Sequence, residues 1–314
     1  MNLPGGSGVV PRPLTFAFAV PCFNEAQNLP ALLPVLDRTR VDGRAASRFV
    51  IASDESKDGT NEIVTEFAKS TSTPVKLIVN ERRGGKPAAI NQCLAELRDI
   101  EIIVMISGDV LPRDECIALL VREFKDPSVG VAAGRSVPFG IEGNLAFEIT
   151  CLMWSLHHVI ATRFPKSTEV TTFRNVVNAI DETSFVDEAE LEVSLLRKGF
   201  AVRYLPQAQI LSPAPLRLAD YITQRAVVTL GYLRLRRKRG HSMKTQSLAE
   251  RLRAIAVVWR TQQVRISILL LAIGVEIIVR AWAWAQFLTG TKRNGIWGRS
   301  ESTKRPCALA LQES

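Results

Sequence analysis

The sequence predicts an α/β fold, a mostly parallel sheet flanked by helices, followed by an amphipathic and then an apolar C-terminal helical segment. Three observations carry this. From Thr15 to Ala133, short β-branched runs alternate with amphipathic stretches, the pattern of a sheet with helices on both faces. The run Ile102 to Ile106 is wholly apolar and stops at Ser107, Gly108 and Asp109, as expected of a strand buried on both faces. Residues 266–288 are almost wholly apolar, broken by Glu276, Arg280 and Gln286.

Taken in order, strands are predicted at 15–20, 48–53, 75–80, 101–107 and 128–133, with helices at 26–40, 59–70, 86–98 and 113–125 between them. Pro30 suits the first turn of its helix, whereas Pro34 should kink or delay it. After Gly134 the periodicity changes. A long helix over 142–163 carries Trp154, His157 and His158, and residues 164–186 are polar and predict no element. A helix at 187–198 stops at Gly199. Extended pieces at 200–205 and 208–211 precede a helix over 216–239 that ends at Gly240. Ser247 and Glu250 form an S-x-x-E capping box that starts another helix, with Leu248, Leu252, Ile255 and Trp259 on one face. The domain plan is a flexible 1–14, an α/β domain over 15–240, membrane-associated helices over 241–288 and a polar tail over 289–314.

A hydrophobic content of 46% and a charged content of 23% exclude a disordered chain. The net charge of +9 is local, because Arg225 to Arg265 holds eleven Lys or Arg against the single acid Glu250. Such a patch faces nucleic acid or anionic lipid, and the lack of interleaved aromatics argues against nucleic acid. The five cysteines are scattered and form no C-x-x-C pair, which points to a reducing compartment rather than a zinc site or disulfide framework. The first residues lack the charged start and long apolar run of a signal peptide.

In an open parallel sheet, ligands bind beyond the carboxyl ends of the strands, and four polar clusters fall there. They are Pro21-Cys22-Phe23-Asn24-Glu25, Ser53 to Thr60 with Asp54 facing outward, Asn80 to Lys86, and Asp109. In the third, two glycines allow close backbone approach, and Arg82, Arg83 and Lys86 suit a diphosphate.

Together these clusters resemble the family-2 glycosyltransferases, whose successive motifs read here as PCFNEAQNL, SDESKDGT, RGGKPAAIN and MISGDV. Asp187-Glu188, followed by Leu191 and Glu192, is similar to the family's acidic base motif, and Gln224-Arg225 to its Q-x-x-R-W motif. The resemblance covers roughly 15–240 and implies a GT-A fold, Rossmann-like, that binds a nucleotide-diphosphate sugar, UDP- or GDP-linked. It implies that Pro21, Asn24, Glu25 and Asp54 contact the nucleotide, that Lys86 and Arg82 lie near it, and that Asp109 holds Mg2+ or Mn2+ on the diphosphate. Glu188 aligns with the general base, with Asp187 beside it as the alternative. Arg174, Gln224 and Arg225 belong to the acceptor and phosphate side. The implied reaction is sugar transfer with inversion to a lipid-linked or glycan acceptor.

The departures are specific. The first Asp of D-x-D is Ser107, the acidic pair runs Asp-Glu, and the Arg and Trp that mark processive synthases are missing after Arg225; this favours single-sugar transfer. Two rivals remain, a sugar-phosphate nucleotidyltransferase and a catalytically silent nucleotide-sugar-binding or membrane scaffold protein. The first should carry a Gly-rich basic loop where this chain has PCFNEA. As a helix, 266–288 is ~34 Å long, enough to cross a ~30 Å hydrocarbon core. Glu276 and Arg280, four apart, can pair within it. The expectation is a protein at the cytoplasmic membrane with its catalytic domain facing the cytoplasm, held by an anionic surface and either spanning it or lying on it.

Overall fold

The computed structural model describes residues 14–262 and 264–290. Among them, eight strands form one sheet in the order β3-β2-β1-β4-β7-β6-β8-β5. Strands β1 (Phe16–Cys22), β2 (Phe49–Asp54), β3 (Val75–Asn80) and β4 (Ile102–Ile106) pair in parallel, with β1 between β2 and β4. Every residue of β1, β2 and β4 is buried, which is why they read as apolar runs, β2 as far as Ala52. Period-2 alternation divides β1 between two cores. Phe16, Phe18 and Val20 pack under α1 (Leu29–Arg38) and α4 (Cys116–Arg122), while Ala17 and Ala19 meet α3 (Lys86–Glu96). Helix α2 (Thr60–Ser70) completes this half.

The first helix starts at Leu29 rather than at 26, with Pro30 in its first turn and Pro34 inside it. A helix-interior proline costs ~3 kcal/mol. Leu29, Leu32, Leu33 and Leu36 are all buried, and at roughly 1.5–3 kcal/mol each they outweigh that cost.

The second half is mixed. The segment 164–186, which predicted no element, contains β7 (Val170–Arg174), antiparallel both to β4 and to β6 (Val129–Phe139). Thr171 and Thr172 are fully buried there, so polar residues disguise a central strand. The extended pieces at 200–205 and 208–211 are one strand, β8 (Ala201–Pro213), parallel to β6 with a register shift at Gly134. The shift pushes the Ala208 carbonyl so close that a Cβ on Gly134 would lie 2.1 Å from it. The two-residue β5 (Leu111–Pro112) closes the order against β8.

Helices α5 (Leu145–Arg163), α6 (Asp187–Arg197), α7 (Leu218–Arg239), α8 (Leu248–Gln262) and α9 (Ile266–Leu288) complete the chain. Asn144 caps α5 through the backbone N–H groups of Ala146 and Phe147. Helix α9 lies against α7 and α5 and buries a stripe of Ile268, Val275, Val279 and Ala283. The opposite side leaves Leu270, Ile277, Ile278, Trp284 and Leu288 exposed. The reciprocal capping box at Ser247 does not form. The Ser247 N–H donates to the Lys244 carbonyl, and Glu250 pairs with Arg163 at 2.5 Å.

The basic stretch is largely consumed within the fold. Lys238 pairs with Asp181, Arg239 with Glu190 and Arg265 with Glu148, while Arg234 and Arg237 stack on Phe185 and Phe287.

Candidate active site

The carboxyl ends of β1, β2 and β4 open into a cavity of about 890 Å³, walled opposite by α5, α7, α8 and α9. Its floor is a set of loops tied to one another. Asn24, in a left-handed conformation at φ 52°, accepts a hydrogen bond from the Lys57 N–H at 2.8 Å, and its own N–H donates to Ser56 Oγ. The Glu25 N–H donates to Thr60 Oγ1, and the Glu25 carboxylate accepts from Asn28. Glu25 also packs on Gly108, where a Cβ would stand 2.7 Å from its Cγ. These bonds make Asn24 a loop fastener, whereas Pro21 and Glu25 line the cavity.

Asp54 holds the Gly-rich loop. Its Oδ1 accepts from the Gly84 N–H and its Oδ2 from the Gly85 N–H, both at 2.8 Å. That bond pair delivers Lys86, the first residue of α3, into the cavity. Arg83 lines the cavity too, with its guanidinium 3.7 Å over the Phe23 ring. Arg82 is exposed and does not line it.

Lys86 is the electrostatic centre. Its Nζ stands 2.9 Å from Asp187 Oδ2 and 2.8 Å from Glu188 Oε1, joining the third motif to the acidic motif one hundred residues later. Burial opposes its charge, but the two carboxylates outweigh burial and hold the ammonium well above its usual range. Burial also opposes ionisation of Glu188, and Lys86 outweighs it, keeping that carboxyl below the ordinary range. Asp187 goes the other way: burial, then repulsion from Glu188, push it up to about 6. Burial raises Asp109 as well, with Lys86 opposing. Asp187 is the more enclosed of the pair, at 5% side-chain exposure against 24% for Glu188.

Glu169 joins this cluster without having been expected. It lines the cavity at the start of β7, and burial followed by the charge of Glu188 pushes its carboxyl up to about 7. Because β7 runs antiparallel to β4, its first residues arrive where β4 ends. Glu169 before the β-branched run Val170-Thr171-Thr172 was the available signal. Lys166 follows the same route, and donates to Tyr232 Oη at 2.6 Å.

The remaining positions separate. Gln224 and Arg225 line the far wall of the cavity. Arg174 does not reach it. Arg174 pairs with Ile102, the first residue of β4, at the opposite end of the strand from Asp109, and donates to the Val129 and Phe124 carbonyls. It is a staple of the sheet's far edge, not an acceptor-side group. His157 lines the cavity while His158 bonds Tyr204 Oη at 3.0 Å. Burial, then Lys166 and Arg225, hold His157 well below its ordinary value, so it is neutral.

Among the described residues, no three His, Cys, Asp or Glu side chains are arranged to hold a cation. Asp109 and Ser107 both line the cavity and supply a carboxylate and a hydroxyl. This hard-oxygen pair fits Mg2+ or Mn2+ when a substrate's phosphates complete the coordination.

A curled α/β sheet of GT-A type, with acidic and basic groups gathered at the carboxyl ends of its strands, defines the glycosyltransferase class. Residues 17–181 match the family model described as Glycosyl transferase family 2, and residues 102–291 match Glycosyl transferase family group 2. The chain belongs to glycosyl transferase family 2. In overall structure it is similar to the mannosyltransferase PcManGT of Pyrobaculum calidifontis, solved in complex with GDP-Man and Mn2+. The TM-score is 0.58 at 19% identity, over 90% of this chain and 88% of that one. In sequence it is 34% identical over 118 residues to an uncharacterized protein of Methanocaldococcus jannaschii, covering 37% of this chain and 49% of that protein. It is 30% identical over 135 residues to a dolichyl-phosphate beta-glucosyltransferase of Trichomonas vaginalis, covering 39% and 41%. The chain therefore spans less than half the length of either curated relative.

Proposed function

We propose that this glycosyltransferase moves a single sugar, with inversion, from a UDP- or GDP-sugar to a hydroxyl of a lipid-linked or glycan acceptor at a membrane. The observation that carries the reading is Lys86 bridging Asp187 and Glu188 in the same cavity as Asp109 and the Asp54-anchored loop. Asp54, Pro21 and Arg83 receive the nucleotide. Lys86 is placed to turn from the carboxylates to the diphosphate, which frees Glu188. Glu188 then takes the proton from the acceptor hydroxyl while that oxygen bonds to the anomeric carbon. The bond to the diphosphate breaks, and the nucleotide diphosphate leaves with the electron pair. A divalent cation on Asp109, Mg2+ or Mn2+, would neutralise the charge that builds on the leaving diphosphate; the Mn2+ in the structurally similar mannosyltransferase supports that assignment.

Attachment to a membrane is supported by the exposed apolar side of α9, together with Leu248, Leu252 and Trp259 exposed on α8. Arg253 and Arg260 are exposed beside them, a combination suited to an anionic interface. Because α9 lies along α7, we infer that it is embedded sideways rather than crossing. Cys22, Cys93, Cys116 and Cys151 are free thiols, which supports a catalytic domain on the cytoplasmic side.

The test is Glu188→Gln with a nucleotide-sugar panel and Mn2+. Donor affinity should stay within about threefold while turnover falls by about 10²–10⁴. Unchanged turnover rejects Glu188 as the base, and loss only in Asp187→Asn transfers the role to its neighbour.

A further inference from the structure

The cavity extends well beyond what a nucleotide sugar needs, and its far end has a distinct chemistry. Arg225 of α7, Arg251 of α8 and Arg280 of α9 converge there on one carboxylate, Glu276. Arg280 Nε lies 2.9 Å from Glu276 Oε1, and Arg251 bonds the same oxygen. Both Arg251 and Arg280 also donate to Gln246 Oε1 at 3.3 Å. Three guanidinium groups against one carboxylate leave a net charge of two, and among the described residues the buried Arg225 Nε has no hydrogen-bond partner. If these groups served only to join the helices, a second carboxylate would be the expected complement.

The walls around this cluster are apolar. Leu252 and Ile255 of α8 and Ile273 and Ile277 of α9 line the same cavity, and Leu252 and Ile277 are 58% and 63% exposed. The slot between α8 and α9 therefore runs from the side expected to meet lipid inward to the arginines. An apolar slot ending in excess guanidinium charge complements an amphiphile whose tail enters from the membrane and whose head is a phosphate.

We propose that Arg225, Arg251 and Arg280 bind the phosphate of a lipid-phosphate-linked glycan acceptor whose chain lies between α8 and α9. This rests on the glycosyltransferase reading above and specifies its acceptor. The phosphate anchors the acceptor, and a hydroxyl of its glycan is the group presented to Glu188, which lines the same cavity. In the transfer step the hydroxyl oxygen bonds to the donor's anomeric carbon, its proton passes to Glu188, and the nucleotide diphosphate departs.

The experiment uses the full chain in neutral detergent micelles, titrated calorimetrically with farnesyl phosphate, farnesol and inorganic phosphate. Farnesyl phosphate should bind at least tenfold more tightly than either of the others, since both the tail and the charge are recognised. Arg251→Gln and Arg280→Gln should each weaken it tenfold or more, with nucleotide diphosphate affinity unchanged as the folding control. Arg280→Lys should recover most of the binding, and Glu276→Gln should tighten it by raising the net charge, the reverse of what a purely structural ion pair gives. Should a single Gln variant lose nucleotide binding, the variant Glu276→Gln/Arg251→Gln/Arg280→Gln, which removes the whole ion-pair set and leaves Arg225 alone, replaces it, with the same tenfold loss expected. Equal binding of farnesol and farnesyl phosphate, or Arg variants that bind as the parent does, overturns the proposal. Loss of nucleotide-sugar binding by the parent chain would instead overturn the glycosyltransferase reading, and leaves the lipid titration to be judged separately.

Discussion

Replacing Lys86 by Gln removes the ammonium that bridges Asp187 and Glu188, at 2.9 and 2.8 Å. At an effective dielectric of about 20, each contact is an attraction of about 6 kcal/mol before desolvation. Taking one partner from a buried pair typically costs ~3–5 kcal/mol. Lys86 and Glu188 retain 29% and 24% side-chain exposure, so water screens part of this, and the expected loss is about 2–4 kcal/mol near neutral pH. The pH dependence has a definite sign. In the parent, the depressed Glu188 contributes stability above the ordinary carboxylate range and loses it as pH falls through its folded value. In the variant, burial acts on both carboxyls without the ammonium, so both move up; stability is then greatest in acid and is lost as pH rises through the raised values. Denaturant unfolding at pH ~8 and pH ~5 should show the full deficit at the first and about 1 kcal/mol at the second. A deficit below about 1 kcal/mol at both, or one that does not change with pH, would refute the bridging role.

Asp109→Asn should weaken donor binding at least tenfold in Mn2+ and by less than about threefold without metal, measured calorimetrically; equal losses would make Asp109 a direct nucleotide contact. Glu169, pushed up to about 7, contributes stability that is lost as pH rises through that value. Glu169→Gln should therefore be more stable than the parent by about 1–2 kcal/mol above pH ~8 and not below pH ~4, read by denaturant unfolding across that range. Trp259→Glu with Leu270→Glu, both at exposed positions, should cut co-flotation with anionic vesicles at least tenfold. In the parent, release from membranes by alkaline carbonate fits the sideways helix, and retention would mean that α9 spans.

The local signals that identified the first half of the fold are those the chain carries without help. In β1, β2 and β4 every side chain is buried, so apolar runs mark them. The turns after them need Asn, Asp and Gly for backbone reasons that are visible in the letters. Asp54, Lys86 and Asp109 could be picked out because they fall at the carboxyl ends of strands or in the loops beyond them, and the Asp187-Glu188 pair through its resemblance to the family's acidic motif.

What the tertiary structure alone decided was where the second half of the chain returns. A strand whose central residues are Thr171 and Thr172 gives no apolar pattern, and its antiparallel direction is set by its neighbours. That direction brings Glu169 to the acids and carries Arg174 to the far edge. Arg82 and Arg83 are adjacent in sequence, and only the packing of Arg83 on Phe23 separates them. Glu276 and Arg280 could be paired by their spacing of four, and the structure has that pair at 2.9 Å. That Arg251 and Arg225 meet them depends on three helices converging, which no local periodicity encodes. Local order follows from the side chains along one segment; a site assembled from six segments follows from how they pack.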